Sequence, residues 1–182
     1  FLNLSSLTPF DPTANRLLTL VREDIAVFSF HTRFDGVKGG VNDVLAALLG
    51  LSRVSPLGTG EAAMARVGDL PSPLSFSAFV QKVKATLDVP FVVGKDTGRP
   101  ITKVALCGGE GKDFIPDALK AGADVYLSGR LGYHAMQDAP LSLLEAGHYY
   151  TERPSVNALA SLVNEICGAE TETLCLNPLQ IY

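Results

Sequence analysis

The stretch TKVALCGGEGKDFIPDALKAGADVYL, residues 102–127, decides the fold class of this chain. It begins with a strand-like run over Thr102–Leu106, continues into a helix-like run over Phe114–Ala121 that ends at Gly122, and closes with a second strand-like run over Asp124–Leu127. A strand, a helix and a strand of these lengths are typical of α/β proteins, in which the connected strands lie parallel. This stretch therefore predicts an α/β fold.

The rest of the chain shows the same alternation of strand-like and helix-like runs. Further strands are predicted at Ile25–His31, Val89–Val93, Leu141–Ala146 and Leu174–Leu176. Helices are predicted to start at Pro12 behind the N-cap Asp11, at Val41 behind Gly39 and Gly40, at Phe76 behind the N-cap Ser75, and at Ser155. This alternation predicts mostly parallel sheets. The polar run KDTGRP, residues 95–100, predicts a boundary between a first lobe over residues 1–100 and a second lobe over residues 101–182.

Composition and charge narrow the class of protein. The 182 residues carry a formal net charge of −4, and 47% are hydrophobic against 19% charged, which is typical of a globular protein rather than a disordered chain. An acidic balance argues against a nucleic-acid partner. The longest apolar runs, such as Val44–Leu49, fall far short of the ~20 residues that span a bilayer, so no membrane association is expected. Three cysteines without a CxxC spacing, Cys107, Cys167 and Cys175, predict reduced thiols and a cytoplasmic location.

Two histidines are each followed four residues later by an acid: His31 by Asp35, and His148 by Glu152. Residues four apart share one face of a helix, but the neighbouring sequence argues against a helix in both cases. Pro154 is tolerated only in a first turn, which predicts a helix that begins near Thr151 or Glu152 and leaves His148 on a strand end or loop. The strand predicted to end at His31 separates the first pair in the same way.

Both pairs are then predicted beyond the carboxyl ends of strands, where open α/β sheets bind their ligands. Two imidazoles and two carboxylates that converge there predict a divalent-metal site, and this donor set suits Zn, Mn, Fe or Ni without selecting one. The alternative is structural: Asp35 and Glu152 favour helix N-termini, and His31 and His148 are packed core histidines. The spacing alone leaves both interpretations open.

Three further features are candidates for ligand contacts. The run CGGEGKDF, Cys107–Phe114, predicts either backbone amides that hold an anion at a helix N-terminus or a tight strand-to-helix turn. His134 follows a predicted strand end and is predicted either to face the same cleft or to be an ordinary packed or exposed histidine. Arg130 and Arg153 are candidates for holding a substrate phosphate through paired hydrogen bonds, although isolated surface arginines are common.

Five segments occur in the order HTRFDGVKGGVNDVLAALLGL, RVGDL, CGGEGKDFIPDALKAGADVYLSG, YH and AGHYYTERP. Together they resemble the family of GTP cyclohydrolase 1 type 2 homologues, also called the Ngg-interacting-factor-three-like family, over nearly the whole chain. The motifs at the two ends, HTxxDxxxGGxND and GHYxTE, are specific in combination. Some family members insert an extra domain after the RVGEL-like stretch, whereas Leu70 is followed within a few residues by the next predicted helix, so the short form is expected.

The resemblance implies a two-lobed α/β sandwich with a cleft between the lobes that holds two divalent metal ions, and a toroidal homohexamer built as a trimer of dimers. It implies that Asp35, His148 and Glu152 are metal ligands. It also implies that His31 lies beside the metals and that His134 lines the same cleft, where either histidine would act as a catalytic residue by relaying protons.

The chain departs from the family pattern in two places. The family's His-His-Pro motif, which supplies two further ligands, precedes the segment that residues 1–7 resemble, so we expect a family member whose N-terminal part precedes this sequence rather than a degraded homologue. The family has Asp where this chain has Arg130. That exchange is expected to alter the preferred charge of the substrate or to affect catalysis.

These features predict a metal-dependent hydrolase resembling GTP cyclohydrolase, in which paired metal ions activate a water for attack on a nucleotide-like substrate. The alternative is a non-catalytic, metal-binding hexamer that serves interaction or regulation. The metal and the substrate stay unassigned at this point.

Overall fold

The computed structural model describes residue 4, residues 6–58, residues 63–177 and residue 179. The contacts between Cα atoms divide the chain into two units, residues 1–31 and residues 32–182. The first unit contains helix α1, Pro12–Arg22, as predicted. Asp11 caps this helix, since its Oδ1 atom accepts hydrogen bonds of 2.8 Å from the backbone N–H groups of Thr13 and Ala14.

The run that follows α1 corrects one prediction. Residues 25–30 form no regular secondary structure, and Ile25, Val27 and Phe28 are 53%, 53% and 82% exposed. The buried strand predicted at Ile25–His31 is therefore wrong. A β-branched and aromatic run satisfies the side-chain preferences of a strand, but a strand also needs a hydrogen-bonded neighbour, and the described residues of the first unit form no second strand. His31 instead begins helix α2, His31–Gly36.

The second unit is built on one six-stranded sheet in the described part of the chain. Its strands are β1 (Ser52–Leu57), β2 (Ala65–Leu74), β3 (Val93–Lys95), β4 (Ile101–Glu110), β5 (Val125–Arg130) and β6 (Ser142–Glu145). Their order across the sheet is β1-β2-β4-β5-β6-β3. The predicted lobe boundary at residue 100 falls between β3 and β4, two strands of this one sheet, and the division into two lobes stays a prediction.

The sheet is mixed, which corrects the expectation of mostly parallel sheets. Strands β4, β5 and β6 run parallel to one another, with Val104 opposite Val125 and Leu127 opposite Leu144. The pairs β1–β2, β2–β4 and β3–β6 are antiparallel. Strands β1 and β2 were not predicted because serine, arginine and proline interrupt their apolar pattern. They are consecutive in the chain and pair antiparallel, an arrangement that does not need the strand–helix–strand alternation on which the prediction relied.

The remaining helices of the described second unit are α3 (Val41–Leu48), α4 (Phe76–Leu87), α5 (Ile115–Lys120), α6 (Tyr133–Asp138), α7 (His148–Glu152) and α8 (Ser155–Cys167). A 3-10 turn over Lys112–Phe114 precedes α5. The predicted helix starts at Val41, Phe76 and Ser155 are confirmed. The strand predicted at Leu174–Leu176 is not present, and both leucines are exposed. No helix among the described residues is long and apolar enough to cross a bilayer.

Both faces of the central strands are buried. One core cluster contains Phe79 of α4 with Leu106, Leu127 and Leu144 of the parallel strands. The cluster on the other face contains Tyr126 among its largest side chains. Successive residues of a strand point to opposite faces, so a segment covered on both sides is apolar at every position. This is why Val104–Cys107 of β4 and Val125–Leu127 of β5 are continuous apolar runs.

Candidate functional site

The pair His148 and Glu152 lies on one helix. The Nε2 atom of His148 is 3.1 Å from the Oε1 atom of Glu152, and both side chains are partly exposed, at 56% and 40%. Our rejection of a helical four-residue spacing for this pair is wrong. Helix α7 begins at His148, directly after Gly147, and Pro154 follows the end of this helix as the N-cap of α8. The proline thus marks the start of α8, not of a helix that begins at Glu152.

Two glycines bring the ends of β4 and β5 against this pair. A Cβ atom on Gly109 would lie 2.3 Å from Glu152 Oε1 and 3.2 Å from His148 Nε2, and one on Gly129 would lie 2.8 Å from His148 Cα. Gly109 also has a φ of +66°, a left-handed conformation that favours glycine. The pair therefore sits at the carboxyl ends of two parallel strands, as predicted for His148 and Glu152 from their position after strands.

The Cys107–Phe114 run is a strand-to-helix turn. Strand β4 continues to Glu110, and the 3-10 turn leads into α5. Its glycines serve close packing: a Cβ atom on Gly108 would lie 3.0 Å from Val41 and 3.3 Å from the backbone oxygen of Thr151. The structure thus supports the turn interpretation of this run.

Asp35 lies in α2, and its backbone is tied to the end of β4. The Nδ2 group of the fully buried Asn42 donates hydrogen bonds to the backbone oxygens of Asp35 (3.2 Å) and Met64 (3.0 Å). The Oδ1 atom of the same side chain accepts one of 2.7 Å from the N–H of Gly108. One amide side chain therefore links the Asp35 segment to the strand that packs against α7.

The buried thiol of Cys107 is influenced by the charges of two carboxylates, those of Asp35 and Glu152. Burial first, and then the negative charge of Asp35 and of Glu152, raise the pKa of Cys107 to about 12. Both carboxylates therefore act on one buried thiol at the end of β4. Among the described residues, however, no group of three or more His, Cys, Asp or Glu side chains lies close enough together to form a metal site.

The raised pKa of Cys107 predicts which thiols react. Cys167 and Cys175 are exposed, whereas Cys107 is buried. At pH 8 a thiol with this raised pKa is almost entirely protonated, so we expect it to react with Ellman's reagent at least ~100-fold more slowly than the two exposed thiols. Two of the three thiols should react in the fast phase in native protein, and the third only after denaturation. Three equally fast thiols would contradict the burial of Cys107.

The predicted catalytic histidines lie on other elements. His134 is exposed in the first turn of α6, where its ring contacts Tyr133 edge-on with centroids 5.5 Å apart. His31 is exposed, has a φ of 30°, and belongs to the first unit. The structure brings His148 and Glu152 into contact.

Helix α6 is held at both ends beside a cavity of about 410 Å³ that Gly94, Tyr133 and Met136 line in part. Glu145 accepts hydrogen bonds from the N–H groups of Leu131 (2.7 Å) and Gly132 (3.1 Å) before the helix. The Lys95 ammonium donates 2.6 Å bonds to the backbone oxygens of residues 137 and 139 at its other end. These bonds fix the helix that carries His134.

The two arginines predicted to hold a phosphate differ in exposure and in the contacts they make. Arg130 is exposed at the end of β5, in register with Glu110, whose carboxylate lies 3.5 Å from the ammonium of Lys112. Arg153 makes structural contacts: its Nη2 group donates a 2.9 Å hydrogen bond to the backbone oxygen of Leu87 and lies 3.5 Å from Asp88. Arg153 is therefore engaged in holding α7 to the end of α4.

Asn42 and Thr151 were not predicted as site residues. Thr151 is 1% exposed, and its Oγ1 atom accepts a 3.0 Å hydrogen bond from the N–H of Gly109. The hydroxyl lies 3.1 and 3.0 Å from the backbone oxygens of Gly147 and His148 and donates to one of them. Asn42 belongs to the motif GGxND and Thr151 to the motif GHYxTE. Membership of these motifs was the sequence feature that could have identified them.

Comparison with known proteins agrees with the fold and the motifs. The profile of the family described as Duf34/NIF3 (NGG1p interacting factor 3) matches residues 1–177. A GTP cyclohydrolase 1 type 2 homolog of Clostridium perfringens is 31% identical over 92% of this chain and 67% of its own length. A protein of the same name from Streptococcus pneumoniae is 35% identical over 91% of this chain and 65% of its own. The chain thus spans about two thirds of the length of these relatives.

Solved structures share the fold. A hypothetical protein of Staphylococcus aureus superimposes with a TM-score of 0.86 at 20% identity, over 98% of this chain and 76% of that one. A Bacillus cereus protein related to NIF3 gives a TM-score of 0.86 at 20% identity, over 100% of this chain and 80% of that one. At this identity the likeness establishes the α/β fold. The profile match, together with relatives above 30% identity, shows that the chain belongs to the Duf34/NIF3 (NGG1p interacting factor 3) family.

Proposed function

We propose that this protein is a metal-dependent hydrolase with a dinuclear centre that takes His148, Glu152 and Asp35 as ligands. The observation that carries the proposal is the approach of His148 Nε2 to Glu152 Oε1, 3.1 Å, on one turn of α7. Imidazole nitrogen and carboxylate oxygen are donors that Zn, Mn, Fe and Ni accept. Both side chains are partly exposed, so a metal ion reaches them without rearrangement of the core.

The donor set of this pair fits a metal ion, and Gly109 leaves space for the two side chains. Because Gly109 carries no side chain, the carboxylate and the imidazole both lie over bare backbone at the end of β4. Catalytic zinc sites use three protein ligands and structural sites four. His148, Glu152 and Asp35 would fill part of a two-metal set, and further ligands would complete it.

The proposed reaction is hydrolysis of a nucleotide-like substrate. Bound divalent ions supply polarisation of the substrate and a water of lowered pKa. His134 and His31 are proposed to relay protons, because an imidazole ring can both accept and donate a proton. The relatives' name, GTP cyclohydrolase 1 type 2 homolog, supports a nucleotide-like substrate. The toroidal homohexamer and the cytoplasmic location are proposed on the family resemblance and the thiol content.

The test compares Glu152→Gln with Glu165→Gln in the full-length protein. Both substitutions remove one carboxylate charge from a helix, but Glu165 lies exposed on α8. We expect about two metal ions per wild-type chain by elemental analysis, since a two-metal site serves this chemistry. Glu152→Gln should lose most of this metal and the turnover of GTP or simple phosphoesters, with little change in melting temperature because its side chain is partly exposed. Glu165→Gln should match the wild type.

The outcomes separate the two functions. Metal binding with loss of turnover in Glu152→Gln supports the hydrolase. Stoichiometric metal without turnover of any of these substrates in the wild type overturns the hydrolase and leaves the non-catalytic, metal-binding interaction protein. No metal in the wild type after loading with Zn, Mn and Fe overturns both.

A further inference from the structure

We propose that Asn42 and Thr151 are positioning residues that align Asp35 with the His148–Glu152 pair through two consecutive amides of β4. The inference rests on the proposed function, because it takes those three side chains as metal ligands. It concerns the two polar motif residues that the ligand set does not use.

The pairing between β4 and β5 is irregular near the candidate site. The pairing of β4 with β5 shifts register between Cys107 and Glu110. Gly108 and Gly109 lie inside this irregularity, and Gly109 has the left-handed φ of +66°. An irregularity of this kind takes backbone groups out of the ladder and is common beside active sites. The amides of these two glycines therefore need other acceptors.

Asn42 provides the acceptor for the first of these amides, that of Gly108. Its Oδ1 atom accepts from Gly108 N–H at 2.7 Å, while its Nδ2 group donates to the backbone oxygens of Asp35 and Met64. The side chain is fully buried, so its hydrogen bonds are made to protein groups and not exchanged with solvent. The orientation of the Asp35 segment is thus set by the end of β4.

Thr151 provides the acceptor for the second amide, that of Gly109. Its Oγ1 atom accepts from Gly109 N–H at 3.0 Å, and the hydroxyl donates to a carbonyl of its own helix, from Gly147 or His148. Thr151 directly precedes Glu152, so this bond fixes the rotation of α7 about its axis. Asn42 and Thr151 thereby hold segments with candidate ligands on two neighbouring amides of one strand.

The experiment uses Thr151→Val and Thr151→Ser in the full-length protein, with Co²⁺ as the probe. Valine keeps the shape of threonine and removes the acceptor, whereas serine keeps the hydroxyl. Thr19→Val is the matched control, because Thr19 is exposed and its hydroxyl also donates to a carbonyl four residues earlier, that of Asn15. The readouts are Co²⁺ affinity, the Co²⁺ absorption spectrum, and hydrogen exchange of the Gly109 amide.

We expect Thr151→Val to weaken Co²⁺ binding ~10- to 100-fold, the range seen when a group that orients a metal ligand is removed, and to change the spectrum. The Gly109 amide should exchange faster. Thr151→Ser should restore all three readouts, which a general loss of stability would not, and Thr19→Val should change none. Wild-type Co²⁺ affinity and spectrum in Thr151→Val would overturn the positioning role alone. No Co²⁺ binding in the wild type would instead overturn the proposed function.

Discussion

Gly109→Ala is expected to lower metal affinity at least as much as removal of Glu152, while Gly122→Ala leaves it unchanged. The two glycines have nearly the same left-handed φ, +66° and +69°. A Cβ atom on Gly109 would lie 2.3 Å from Glu152 Oε1, whereas one on Gly122 meets nothing within 4 Å. The new methyl group at Gly109 must therefore push the carboxylate away from His148.

Comparing Gly109→Ala with Gly122→Ala separates the effect of moving the Glu152 carboxylate from the effect of backbone strain. Both substitutions force alanine into the left-handed region, at a cost of about 1–2 kcal/mol each. Similar losses of unfolding free energy in urea, together with loss of metal only in Gly109→Ala, would confirm that Gly109 makes room for the ligand pair. Equal metal affinity in the two variants would contradict the placement of the site over Gly109.

Arg66→Met is expected to destabilise the fold by about 3 kcal/mol, the low end of the cost of removing one partner of a buried ion pair, because the Asp43 side chain that stays behind is 27% exposed. The side chain of Arg66 is 4% exposed, and its Nε group donates to the carboxylate of Asp43. Its other nitrogens donate to backbone oxygens of residues 36, 64 and 65, at 2.8 to 3.0 Å. Methionine fills similar space but removes every hydrogen bond that the guanidinium donates.

Arg53→Met is the control for this prediction. Arg53 also pairs with an aspartate, at 2.9 Å from Asp69, but its side chain is 80% exposed. Exposed ion pairs contribute about 0–1 kcal/mol, so this variant should unfold near the wild-type urea midpoint. A small effect for Arg66→Met would show that the segment after Asp35 does not depend on that guanidinium.

The parallel half of the fold could be predicted from the sequence because local and tertiary requirements coincide there. The segments Val104–Cys107 of β4 and Val125–Leu127 of β5 are apolar because they are buried on both faces, and Gly122 marks the end of the helix between them. The caps Asp11 and Ser75 were likewise visible, because each accepts hydrogen bonds from the first turn of its own helix.

Elements that depend on distant partners could not be predicted. The run Ile25–His31 has the composition of a strand, but the described part of its unit provides no strand to pair with. Strand β2 contains Pro71 and Pro73, which argue against a strand locally, yet it pairs with both β1 and β4. Here the tertiary pairing outweighs the local preference.

The candidate site likewise contains features that could be predicted from the sequence and features that could not. His148 and Glu152 were identified by residue type and spacing, but their helix was missed because Pro154 was assigned to the wrong helix start. Asn42 and Thr151 act through buried hydrogen bonds to β4, from residues 66 and 42 positions away in the sequence. Such contacts follow from the three-dimensional arrangement and not from local pattern.

Anomalous diffraction from crystals of the zinc-loaded full-length protein tests the central claim most directly. The account predicts an anomalous peak bonded to His148 Nε2 and to a Glu152 carboxylate oxygen, at the ~2.0–2.2 Å typical of zinc ligands. A fully loaded crystal with no peak at α7, and with His148 and Glu152 in direct contact with each other, would contradict it.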